Sequence, residues 1–162
     1  MPTRKPTPPK ASRPIMPGYG LPETTKGLLP WSWGEQRLKK SHNYWISTGR
    51  PDGRPHAMVV WGLWMDGAFY FSTGAQTVKG RNLAHTPYCV IGTENAAEAV
   101  VVEGATTMLN DSATRKRFTA LYKKKYGWDI AEEPVFVMTP ELGFGLYEKK
   151  FAQSATRWKF GK

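Results

Sequence analysis

Cysteine is almost missing from this sequence: Cys89 stands alone among 162 residues, so no disulfide can form within the chain. That excludes a small disulfide-stapled scaffold and fits a reducing compartment. Long apolar runs are missing as well. None approaches the ~18–20 residues a membrane-spanning helix needs, and the cations near the N-terminus are followed by no apolar stretch of the kind that directs secretion. A cytoplasmic protein with no membrane partner is the expectation. Acidic residues are scarce, 13 against 23 lysines and arginines, which gives a net charge of +10 and a pI near 9.8. Such an excess looks for an anion: nucleic acid, a lipid surface or a small molecule.

Several chemical signatures are absent too. There is no G-x-S-x-G nucleophile elbow, no H-E-x-x-H pair and no C-x-x-C pair. His42, His56 and His85 lie far apart with no cysteine pair beside them, so no metal site and no catalytic triad are expected. No G-x-G-x-x-G follows a strand, which excludes the usual dinucleotide site. The stretch Gly74–Gly80 fails as a Walker loop because Lys79 precedes the second glycine.

What the chain does have is core material. Hydrophobic residues make up 40% and aromatics 13%, with seven tryptophans, enough for one packed domain of ordinary size. Residues 1–17 stand apart: Arg4, Lys5, Lys10 and Arg13 are interleaved with six prolines and no acid. This composition predicts a mobile basic tail. Its four cations leave a body of about +6 over residues 18–162.

Along that body the spacing predicts a helix from Trp33 to Ser41 with Ser32 as its N-cap and Glu35 in the first turn. Strands follow at Asn43–Thr48 and, after the turn Gly49–Gly53, along an unbroken run from His56 to Met65. Asp66-Gly67 between two apolar runs marks a hairpin into Ala68–Thr73. A short helix is predicted at Thr77–His85, then strands at Pro87–Thr93 and Ala99–Leu109. Asp111 and Ser112 cap a second helix with Phe118, Leu121 and Tyr122 as its apolar stripe, ended by Gly127. Val135–Thr139, Leu142–Glu148 and Ala155–Phe160 complete the strands. Many short strands with few helices predict a mainly β, antiparallel barrel.

One segment has the makings of a phosphate site. In Ser72-Thr73-Gly74-Ala75-Gln76-Thr77-Val78-Lys79-Gly80-Arg81-Asn82-Leu83 two hydroxyls end a strand, a glycine lets the backbone approach, and a helix begins. Free N–H groups at a helix start attract an anion, and Lys79 and Arg81 add charge-assisted partners. The plainer reading is a capped helix with solvated cations.

The ordered set Arg50-Pro-Asp-Gly-Arg-Pro-His56, Val59-Val-Trp-Gly62, Tyr70-Phe-Ser-Thr-Gly74, Lys79-x-Arg-Asn-Leu83 and Val101-Val-Glu-Gly104 resembles the pyridoxamine 5′-phosphate oxidase-like family of flavin-binding split β-barrels. The resemblance covers residues 33–110, and Thr156-Arg-Trp158 resembles the ending of some members. It implies that His56, Met58, Val59, Val60 and Trp61 lie along a flavin ring. It implies that Ser72, Thr73, Thr77, Lys79, Arg81 and Asn82 gather round the cofactor's phosphate, with Arg157 and Trp158 reaching the cofactor from the C-terminal segment. It also implies a homodimer with the cofactor between subunits. Two departures stand out: Val78 replaces the arginine that commonly precedes the loop lysine, and the C-terminal Arg-x-His grip on the vitamin substrate is missing. The resemblance therefore implies an oxidoreductase using F420 or FMN on another small substrate, with no catalytic side chain assigned, since the cofactor carries the chemistry. The Lys-x-Arg-Asn-Leu pattern looks more like the F420 branch, whose cofactor has a polyanionic tail.

Two rival expectations stand beside this one. A flavin carrier or sensor on the same fold would bind cofactor without turnover. Nucleic-acid binding would rest on the tail with Arg115-Lys116-Arg117 and Lys123-Lys124-Lys125, and those residues read more simply as the solvated face of a helix. Cys89, mid-strand between apolar neighbours, reads as an inert buried thiol.

Overall fold

The computed structural model describes residues 6–161. Alternation of apolar and polar side chains builds most of it as one antiparallel sheet. Its strands are β1 (Lys10–Ser12), β2 (Tyr44–Gly49), β3 (Pro55–Val60), β4 (Gly62–Met65), β5 (Ala68–Ser72), β6 (Tyr88–Thr93), β7 (Glu98–Met108), β8 (Val135–Tyr147) and β9 (Thr156–Lys159). They run in the order β1-β9-β8-β7-β6-β2-β3, while β5 pairs with both β4 and β8. The long strand β8 serves two partners: Val135–Met138 pairs with β5 and Leu142–Gly145 with β9. The sheet is thus split along β8 and curls round its core as a split β-barrel.

That core follows from the period of two. Tyr44, Ile46, Phe69, Phe71, Ile91, Val100, Val102, Met138 and Trp158 are all fully buried, each worth ~1.5–3 kcal/mol in apolar burial. Helix α1 (Trp31–Lys40) closes one side through Leu38. Helix α3 (Ser112–Tyr126) lays Phe118 and Tyr122 over the other face of β4 and β5, against Tyr70, Ile130 and Val135. Helix α2 (Val78–His85) sits against β2, and a short helix α4 (Phe151–Ser154) precedes β9. The Asp66-Gly67 hairpin is present, both residues taking the positive φ of such a turn (54° and 75°).

Several expected boundaries need correction. Helix α1 starts at Trp31 behind Pro30, whose fixed φ of −67° sets the entry. Ser32 therefore lies inside the helix and caps nothing, and Glu35 accepts the indole N–H of Trp64. The run from His56 to Met65 breaks at Trp61, because the Gly62 N–H goes to the Tyr126 hydroxyl (3.0 Å) instead of a strand. Residues 135–147, read as two strands, form one, with a register shift opposite Gly104, where a Cβ would collide with the Thr139 carbonyl. Leu121 is 40% exposed and not part of the α3 stripe, whereas Lys125, read as solvated, is half-buried.

Part of the expected tail is docked. Lys10–Ser12 pairs with β9, and Ala11 packs against the core. Arg13 donates to the carbonyls of Thr24 (3.1 Å), Lys26 (2.6 Å), Gln153 (2.5 Å) and Ala155 (3.1 Å). A composition unfit to fold alone is held by a sheet edge and one guanidinium. Residues 1–5 of that tail lie outside the described residues.

Candidate cofactor site

The loop from β5 into α2 is shaped by hydroxyls and one glycine. Thr77 caps the helix: its Oγ1 accepts from the Gly80 N–H (3.0 Å) and donates to the Gly74 carbonyl (2.8 Å). Thr73, 95% buried, completes the knot at 3.0 Å from the Thr77 hydroxyl. Gly80 has to be glycine, since a Cβ would collide with the Gly74 carbonyl oxygen and press on Ala75. The result is a tight loop whose backbone closes over the first turn of α2, where main-chain N–H groups have no helical carbonyl behind them.

Lys79 stands in that first turn. It is half-buried, and among the described residues it has no carboxylate and no hydrogen-bond acceptor within reach. Burial lowers its pKa from the ordinary lysine value, the direction expected of a cation taken out of water without a counter-charge. The next turn of α2 faces the Gly49–Arg54 turn across a cleft of about 350 Å³. Arg50, Arg54, Arg81 and Asn82 line it with a single acid, Asp52, which is bonded to Arg54 (2.9 Å). Arg50 and Arg81 have no carboxylate partner among the described residues. Asn82 is held in place by donating to the buried Thr48 hydroxyl (3.0 Å), which fixes α2 to β2.

Thr48 lies opposite His56 in the register of β2 and β3. Strand β3 is the sheet's edge and presents Met58 (49% exposed) and Val59 (42%) to the outside, while Val60 is buried. The His56 Nδ1 is buried with no hydrogen-bond partner. The arginine cleft therefore lies between α2 and the turn that joins β2 to the edge strand β3.

Three residues assigned by resemblance fall elsewhere. The Ser72 hydroxyl points away from the loop, its one proton directed to the Pro134 carbonyl (2.9 Å) and the Glu133 Oε2 (3.0 Å). The carboxylate beside Ser72 would repel an anion drawn to that hydroxyl. Trp158 is wholly buried: its N–H is satisfied by Leu29 O (3.0 Å) and its ring packs on Trp31 and against Gly34 and Gly145. It is core, with no surface for a ligand. Arg157 is half-buried on the opposite face of β9, beside Ser12, five strands from β3.

Two features escaped the sequence reading. Arg50 and Arg54 enter the cleft only because the turn folds against α2. Lys125 donates to Ser41 O (2.6 Å), the Tyr44 hydroxyl (3.0 Å) and Gly62 O (3.1 Å) beneath Tyr126. Its pKa is pushed down to about 8 by burial. Among the described residues no cluster of three or more His, Cys, Asp or Glu could hold a metal ion, and no helix is long and apolar enough to cross a membrane.

The pattern of the pyridoxamine 5′-phosphate oxidase family matches residues 35–152. The chain belongs to that family. The match takes in β2 through β8, and so the whole of the α2 loop, the arginine cleft and the edge strand. Among solved structures, an F420 reductase is 20% identical over 67% of this chain and 94% of its own, with a TM-score of 0.56. A FAD-binding protein from Mesorhizobium loti is 16% identical over 80% and 95%, at 0.63. The haem storage protein HutZ of Vibrio cholerae is 15% identical over 66% and 87%, at 0.57. These likenesses establish the split-barrel fold of the family. No curated protein matches the sequence significantly.

Proposed function

We propose that this chain is an oxidoreductase that holds F420 or FMN by its phosphate at the start of α2. It passes a hydride between that cofactor and a small planar or unsaturated organic substrate. The observation that carries this reading is Lys79: a half-buried cation without counter-charge, at a helix start whose loop is closed by Gly80. An anion there would restore the solvation that burial removes, and would take the first-turn N–H groups as well.

The residues fit such a group. Lys79 and the N–H groups of Val78 and Lys79 would hold the phosphate, while Thr73 and Thr77 keep the loop in shape. Arg50 and Arg81, unpaired across the cleft, suit further negative charge. That favours F420, with its anionic tail, over FMN, with one phosphate. The bound group would supply the hydride; the protein supplies orientation and a polar environment. The exposed backbone and side chains of β3 would lie along the ring, in a homodimer whose second subunit covers it. An F420 reductase and a FAD-binding protein on the same fold agree with this, whereas a haem storage protein on it shows that the fold alone does not choose the ligand.

The test is a fluorescence titration of the full chain with F420 and with FMN, F420 being expected to bind more tightly. If neither binds below about 1 mM, roughly 4 kcal/mol, the reading falls. If a cofactor binds and no panel of donors and acceptors turns over, the carrier reading replaces the enzyme.

A further inference from the structure

Trp61 sits where β3 stops, and it is held more firmly than an exposed tryptophan needs to be. Its indole stacks on Tyr126 with ring centroids 4.6 Å apart and planes 9° from parallel. Its Nε1–H donates to Asn43 Oδ1 (3.0 Å), and the Asn43 amide donates in turn to Glu94 Oε2 (3.0 Å). Tyr126 is itself fixed, its hydroxyl accepting from the Gly62 N–H (3.0 Å) with the His42 carbonyl at 2.7 Å and the Gly62 carbonyl at 2.9 Å. His42 leans on both rings. With one face covered by Tyr126, Trp61 still keeps 37% of its surface exposed. Trp45 and Trp128 are more exposed, at 52% and 60%, and neither has a ring stacked behind it or a bonded N–H among the described residues.

An indole fixed in its plane by an in-plane hydrogen bond, and backed by a second ring, loses little freedom when a third ring stacks on it. It stands about 7 Å beyond the exposed Val59 along the strand direction, at the end of the proposed cofactor strand. We propose that Trp61 is the specificity-determining residue of the substrate pocket, and that its free face stacks a planar conjugated substrate in preference to a saturated one. This rests on reading β3 as the cofactor strand.

The test uses fluorine NMR on the full chain labelled with fluorotryptophan, the Trp61 resonance being identified by its loss in Trp61→Phe. The probes are benzamide and cyclohexanecarboxamide, neutral amides of similar size, one planar and one saturated. Benzamide should move the Trp61 resonance saturably, and cyclohexanecarboxamide should bind at least about threefold more weakly. In the variants, which lack that resonance, affinity is read from the amides' own proton signals by saturation transfer: Trp61→Leu should lose the preference, and Trp61→Phe, which keeps a ring and guards against a folding artefact, should retain part of it. No movement with benzamide, as when a second copy of the chain covers Trp61, or equal affinity for the two amides, overturns the proposal. Cofactor titration of the unaltered chain is a separate measurement: benzamide stacking without cofactor binding would leave the platform standing and remove the redox reading.

Discussion

Two lysines decide most of the chemistry at the residue scale, Lys79, read from the sequence as a phosphate partner, and Lys125, read as a solvated surface cation. Lys79 is half-buried and unpaired, so removing its charge should cost the fold little while costing the ligand much. For Lys79→Ala, cofactor affinity is expected to fall about 10- to 100-fold, the ~1.5–3 kcal/mol of a charge-assisted hydrogen bond, with a melting temperature unchanged or higher. Titration and thermal melts of the same preparation check both halves. Lys125 differs in being fully hydrogen-bonded, yet its pKa is lowered to about 8 from 10.5. A folded-state pKa below the unfolded one means that the unfolded chain binds more protons between those values. Its contribution to stability therefore rises with pH from about 8 to 10.5 and is constant below 8. Burial raises the pKa of Tyr44, Tyr126 and Cys89, the last to about 12, which works in the opposite direction above pH 9. The clean measurement is consequently a difference: denaturant unfolding of the wild type minus Lys125→Met should increase across that window. A flat difference would mean that Lys125 keeps its ordinary pKa.

Elements were legible wherever a local rule was also the global one. Asp66-Gly67 demanded a hairpin by its backbone alone and so located β5, and Thr77 and Asp111 capped the helices that follow them. Failures came where a distant partner intervened. Tyr126, 64 residues away, takes the Gly62 N–H and breaks a run that looks continuous. Gly104 lets β7 shift its register, so that the Pro140-Glu141 pair, which fell between two expected strands, stays in β8. The phosphate loop was legible at Thr77, Lys79 and Gly80. It was illegible at Ser72, whose hydroxyl is taken by Pro134 and Glu133, 62 and 61 residues on. Nor could composition say that the proline-rich start would find the edge of β9. That attachment makes its own prediction. Arg13→Ala removes four bonds to carbonyls and should speed hydrogen exchange of Lys10–Ser12 and of residues 24–27 while β7 and β8 stay protected. Equal protection in the variant would show that β1 docks by its strand pairing alone.

At the scale of the molecule, the outer face of the sheet is too apolar for a surface meant to stay in water. Register places Val59, Trp45, Gly92, Val101, Phe144 and Arg157 in one row across β3, β2, β6, β7, β8 and β9. Trp45 and Val59 are exposed, Val101 and Phe144 half-buried. A stable dimer takes about 800 Å² from each partner, and apolar side chains left exposed in such a row are the kind of surface an interface covers. It also ends in Arg157, far from β3 within one chain, so a second copy laid across the row could bring that guanidinium to the first copy's edge strand. Sedimentation is expected to report a dimer. Phe144→Glu, three strands from β2 and four from β3 by way of β7 and β6, should then yield monomers by setting a carboxylate in the middle of the interface. Cofactor affinity should fall with dimerisation although Lys79, the arginine cleft and β3 are unchanged. A monomeric Phe144→Glu that binds cofactor as tightly as the wild type would place the whole site within one subunit, and Arg157 would have no part in it.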